Sequence, residues 1–440
     1  MAHRDRSHVS APAIPRPTAP HPGGVPVGSL DQAPPFALPG EHFAAGLVWL
    51  ALGAAGLVMV APLLAQGGYL APRVIAVTHC FTLGWITTSI FGALYQLFPV
   101  VLGAPARSVR VGHATFWVLQ AGVALLVAGT WWWRPPLIAA GWVVLFLAVG
   151  GLAWNVLPQR RRAPRGRTIG LYISAAHMAL GFAMAVVAAR IGAELGWWRI
   201  DRLGLLAAHA HLAVVGFATL TAVGVGSRLL PMFLLSHGHA EWPLRWIGPA
   251  VSAGLVVFAT GELLSSRTLA VSGALAMAAG IALYLALVTG YFVHRARRAL
   301  DPGLAYVAAA FIFLALATGL GLLVFLLPGF HPRLIVTYAA AGIIGWLSLL
   351  VAGIYQKIVP FLTWLHRFAA RVGEPGVPRI ADLTVPAVGW TMLVLFAGSL
   401  LLLLAGIAAG AGVLVRTGAA GFAGATALLV GQHARLALRR

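Results

Sequence analysis

Four histidines stand inside long apolar runs: His79, His177, His209 and His211. An ionisable ring in lipid is costly to bury and marks a functional candidate. Neutral imidazole offers a lone pair to copper or to haem iron, and this is the chemistry these residues would serve. His209 and His211 form an HAH pair. Two residues turn a helix by about 200°, so the two rings face different crevices. The plainer role for each ring is a hydrogen bond to a carbonyl or hydroxyl across a helix interface. The other eleven histidines, His3, His8, His21, His42, His113, His237, His239, His294, His331, His366 and His433, fall in the N-terminal tail, in loops or at helix ends, where most are expected to be solvated or interfacial. His237 and His239 in SHGH would make a two-ligand metal site at best.

Three stretches set the positions of these rings. GWITTSIFGALYQLFP (84–99), GFATLTAVGVGSRLLP (216–231) and GWLSLLVAGIYQKIVP (345–360) align without gaps. Counted from the first Gly, an aromatic stands at +1, a hydroxyl at +3 (Thr87, Thr219, Ser348) and a second Gly at +8 (Gly92, Gly224, Gly353). A long polar residue follows at +12 (Gln96, Arg228, Lys357) and Pro at +15 (Pro99, Pro231, Pro360). At 100° per residue the glycines share one face, which reads as a helix-packing stripe. Pro at +15 is expected to end the regular helix. His79 and His211 both stand at −5, roughly opposite the stripe, while the third copy has Ala340 there.

The whole chain supplies the setting. Of its 440 residues 60% are hydrophobic and 9% charged, against about 25% charged in soluble domains. Twelve apolar runs long enough to cross a bilayer occur between residues 43 and 434. The expected fold is therefore an all-α integral membrane protein of three parallel four-helix repeats, 41–159, 160–292 and 293–440. Residues 1–40, rich in proline, read as a disordered tail. The net charge of +20 follows the topology: 20 of the 30 Lys and Arg fall on the N-terminal side of the spans and 8 on the other. That bias points to lipid headgroups as partners, not nucleic acid, in a bacterial-type inner membrane with both termini cytoplasmic.

Tryptophans of WWWR (131–134) and WWR (197–199) lie on the outer side, as an interfacial belt would. Arg134 and Arg199 beside them would suit haem propionates. The ten acidic residues lie at or beyond helix ends, which weighs against a mid-membrane proton relay. The lone cysteine, Cys80, excludes an intrachain disulfide. Phosphate loops, nucleophile elbows and HExxH zinc motifs are absent from the sequence.

Twelve spans, three motif helices and histidines on the second and sixth together resemble subunit I of the haem–copper oxidase superfamily, which includes nitric oxide reductases. The resemblance implies that His79 is a haem ligand and that His209 or His211 is a copper ligand. It does not extend to a complete oxygen-reducing centre. The tenth span reads TYAAAGIIGW (337–346) where the family carries two histidines, and the seventh reads RWIGPAVSAGLVVF (245–258) where it carries two more. The expected site is therefore a b-type haem or copper ion held by His79 and His211, with His209 or His177 assisting. Such a site would serve electron transfer with a redox partner protein, or the binding or sensing of oxygen or nitric oxide. Copper or haem handling, with Cys80, Met178 and Met232 as soft donors, and a metal-free structural or assembly subunit are the alternatives. The topology is tested by fusing to the C-terminus a reporter that fluoresces only in the cytoplasm: fluorescence is expected, and its absence with an active periplasmic reporter would invert the orientation.

Overall fold

A computed structural model describes residues 34–102, 105–162, 166–194, 196–199, 201–238 and 240–438. The predicted tail lies outside them except for its last seven residues, as do His3, His8, His21 and His239. Twelve helices are long and apolar enough to cross a membrane: α1 Ala37–Ala65, α2 Pro72–Leu97, α3 Val109–Trp131, α4 Pro135–Gln159, α5 Arg167–Glu194, α6 Arg202–Leu234, α7 Leu244–Leu263, α8 Arg267–Val293, α9 Pro302–Leu326, α10 Pro332–Arg367, α11 Pro386–Ala409 and α12 Gly412–Leu438. The described secondary structure has no strands. α1 begins inside the stretch read as tail, so residues 37–40 are helical.

Starts are written locally. Proline opens α2, α4, α9, α10 and α11, where its missing N–H costs nothing. Asp201 caps α6 through the Leu203 and Gly204 amides, and Asp301 caps α9 through the Leu304 amide. Large apolar side chains such as Trp117, Phe146, Ile312 and Val394 are exposed on the outer surface, as lipid contact requires.

The glycine stripe packs each motif helix against the span before it. A Cβ on Gly84 would lie 2.5 Å from Trp49 of α1, and one on Gly92 2.7 Å from the Cβ of His42. The same pairings recur for Gly216 with Ala179 and Gly224 with Tyr172 of α5, and for Gly345 with Phe313 and Gly353 with Tyr306 of α9. The partner positions are seven residues apart in every copy (42 and 49, 172 and 179, 306 and 313). A further glycine signal, absent from the motif, closes the hairpins α3–α4, α7–α8 and α11–α12. Gly129 and Gly141, Gly261 and Gly273, and Gly406 and Gly418 each stand twelve apart and bring backbone against backbone.

α2, α6 and α10 meet one another at the centre. Where they meet, each winds as a π-helix over eight residues: Cys80–Thr87, Leu212–Thr219 and Ala341–Ser348. These segments span motif positions −4 to +3 in all three copies. The hydroxyl at +3 now has a reason. Thr87, Thr219 and Ser348 each donate to the carbonyl five residues back, at 2.8, 3.0 and 2.9 Å.

Two expectations change. The step of 100° per residue does not hold through a π segment, so the placement of the −5 position opposite the stripe loses its basis. Pro99, Pro231 and Pro360 do not end regular helix: beyond the apolar span of α2 the helix continues through Pro99 to Leu102, and the other two run on to Leu234 and Arg367. Neighbouring spans tolerate a proline in a membrane helix better than water does. The +12 residues have three fates: Gln96 is buried, Arg228 is exposed, and Lys357 pairs with Asp301 at 2.5 Å.

The Gly84→Leu variant is expected to lose about 1–3 kcal/mol by overpacking, read as a lower thermal midpoint in detergent. Gly150→Leu, with no atom within 4 Å of its added Cβ, is the control and should hold its midpoint. Equal behaviour of the two would overturn the packing role of the stripe.

Candidate functional site

The intramembrane histidines share one local geometry. His79 donates from Nδ1 to the Ile75 carbonyl at 2.8 Å, His177 to Ile173 at 2.8 Å and His211 to Ala207 at 2.8 Å, each one turn back along its own helix. His209 reaches across instead, to the Ala183 carbonyl of α5 at 3.1 Å. A carbonyl only accepts, so Nδ1 carries the proton in every case and Nε2 is left with a bare lone pair. That tautomer is the one a metal ligand needs, with the second ring nitrogen held by a carbonyl.

The four Nε2 atoms face different surroundings. His79 and His209 come within electrostatic range of each other across the α2–α6 contact. His211 is turned away, 7% exposed, and its Nε2 accepts a hydrogen bond from the Tyr338 hydroxyl of α10 at 2.9 Å. Its ring packs on Phe258 and Phe325, with centroids at 4.3 and 5.6 Å. His177 is buried, edge-on to Phe217, and its Nε2 has no hydrogen-bond partner. Thus the HAH pair does serve two interfaces, and each histidine keeps a separate neighbour.

Tyr338 escaped the motif. It stands seven residues before Gly345, the position His209 holds before Gly216, so a polar residue at −7 in two copies was the available signal. His42 and His433 were also read as end residues. Both are buried inside α1 and α12, where they donate from Nδ1 to Leu38 and Leu429 at 2.7 and 2.8 Å. His42 packs against Phe116 and Tyr95, and His433 against Tyr355. Arg134 and Arg199 are exposed, as are Trp132, Trp133, Trp197 and Trp198 beside them. His237 is exposed. Of the soft donors, Cys80 is buried next to His79, Met178 is exposed and Met232 half-buried.

A metal ion and a haem make different demands on this arrangement. Among the described residues, no three His, Cys, Asp or Glu side chains gather into a metal-binding cluster. Two imidazoles within electrostatic range of each other at the α2–α6 contact are the nearest approach to a ligand pair here, and a single copper ion would need no cavity. The two cavities beside the motif helices measure about 120 and 90 Å³. Sites for cofactor-sized molecules run to roughly 300–1,000 Å³, so neither cavity takes a porphyrin with the helices packed as they are.

The His211–Tyr338 pair is open to a double-mutant cycle. His211→Leu, Tyr338→Phe and the double variant, unfolded by denaturant in mixed micelles, should show a coupling of about 0.5–1.5 kcal/mol. Additive losses would mean that the hydrogen bond contributes nothing.

No protein-family model matches the chain, and no curated protein is significantly similar to it.

Proposed function

We propose that this chain is a metal-binding membrane protein of oxidase-like build, with three parallel four-helix repeats and an ion held between α2 and α6. The observation that carries the reading is the common Nδ1–carbonyl geometry of His79 and His209, on two helices in contact, which leaves both Nε2 atoms free of a proton. The repeat assignment is supported by the triplicate π segments, by the glycine partners on α1, α5 and α9, and by the three twelve-residue glycine spacings.

Copper is the better suited ion at this interface, since imidazoles can hold it and no ring-sized space is needed. The iron of a b-type haem is the second candidate and requires the helices to part, with Arg134 and Arg199 available at the outer surface for propionates. His211 and His177 stand as reserve ligands on neighbouring faces. A bound redox metal would serve electron transfer with a partner protein, or the binding or sensing of oxygen or nitric oxide. The arginine bias supports a cytoplasmic location for both termini. Copper handling is the runner-up, distinguished by a metal that exchanges readily.

The test is an absorption spectrum with metal analysis of protein purified in mild detergent. About one copper or one iron per chain is expected, with loss of most of it in both His79→Ala and His209→Ala. Stoichiometric metal unaffected by either substitution would move the site elsewhere, and metal-free protein without a Soret band would leave the structural-subunit reading.

A further inference from the structure

A second place in the molecule has the character of a binding site, and it is independent of any metal at α2–α6. The 120 Å³ cavity is a crevice between α6, α8, α9 and α10. Small residues make it: Ala274, Ala278, Ala317, Gly321, Ala339 and Gly342. A Cβ added to Gly342 would find only the Ala317 Cβ, at 4.0 Å. Gly342 thus leaves space, while Gly321 admits the Tyr338 ring, whose Cε2 would lie 2.9 Å from an added Cβ. In that apolar wall the prominent polar feature is the His211–Tyr338 pair.

The polarity of the pair follows from its hydrogen bonds. His211 has given its one ring proton to the Ala207 carbonyl, so its Nε2 accepts and the Tyr338 hydroxyl must donate. Tyr338 Oη then has no proton left to offer but keeps acceptor capacity. The two threonines of the crevice are in the same condition. Thr318 has donated to the Leu314 carbonyl at 2.8 Å and Thr219 to the Val214 carbonyl at 3.0 Å. Thr219 also accepts from Trp346 Nε1 at 3.1 Å. Every side-chain oxygen lining the crevice is therefore an acceptor with its proton already committed.

We infer that the crevice binds a small, uncharged, lipid-soluble molecule that donates a hydrogen bond to Tyr338 Oη: a phenol or a compact alcohol. An apolar protein cavity of about 150 Å³ holds benzene, so a half-open space of this size takes one ring with its far edge toward lipid. A carbonyl or ether of the same shape would present an acceptor to an acceptor and lose affinity. A lipid acyl chain would fill the space with no regard to Tyr338.

The experiment compares 4-fluorophenol with 4-fluoroanisole by fluorine NMR line broadening on purified protein, each corrected by a titration into empty micelles. In the wild type the phenol should bind about 3- to 10-fold more tightly than its methyl ether, the factor for one hydrogen bond. Tyr338→Phe should level the two ligands. Gly342→Leu, placed where there is room for the side chain, should block both while circular dichroism stays unchanged. Equal wild-type affinities would mean an acyl-chain slot and overturn the proposal. So would absence of binding, a preference that survives Tyr338→Phe, or binding indifferent to Gly342→Leu.

Discussion

A backbone carbonyl in hydrocarbon has no water to turn to, and this constraint governs the centre of the molecule. An α-helix satisfies every carbonyl by its own regular ladder. The three central helices depart from that ladder over eight residues each, and the departure is answered within the chain. The +3 hydroxyl of each copy turns back to the carbonyl five residues earlier. His79 and His211 do a related service at the N-terminal end of their π segments, where Nδ1–H takes a carbonyl one turn back. Polar side chains in this protein first serve the backbone, and what remains of their hydrogen-bonding capacity is what a ligand can use.

That order explains why the two histidine roles are hard to separate by composition. A ring that merely satisfies the backbone and a ring poised for metal share the same Nδ1 contact. They differ in what meets Nε2. For His211 it is a phenol hydroxyl and for His177 it is apolar packing, while His79 has His209 within electrostatic range. The π segments supply the closeness of α2, α6 and α10 on which all of these encounters depend, and such segments concentrate at functional sites in other proteins.

Much of the architecture was legible in the residue order. All twelve spans follow from hydropathy, and the glycine stripe follows from spacing, because both depend on local composition. The hydroxyl at +3 was visible as a pattern but not as a cause, since its partner is created by a π winding that no 3.6-residue periodicity announces. The same winding defeated the angular placement of His79. Pro99, Pro231 and Pro360 misled because the cost of an interrupted ladder was judged for an isolated helix. His42 and His433 misled because distance along the chain from a span's centre is a poor measure of burial when neighbouring helices overhang. Tyr338 was missed because its importance lies in a contact 127 residues away in sequence.

The π segments also divide each central helix into two stretches that are phased separately. Residues on the C-terminal stretch, with the second glycine and the +12 position, keep their angular relation to one another whatever happens before the winding. Residues on the N-terminal stretch, where the histidines stand, are related to them only through the wider turn. The third copy has Ala340 in place of a histidine and Tyr338 in place of its neighbour, yet its C-terminal half still packs Gly353 against the preceding span as the others do. The winding thus acts as a joint between a scaffold and an interchangeable tip. One helix design can carry two imidazoles, a single ring or a phenol without disturbing the bundle beneath it.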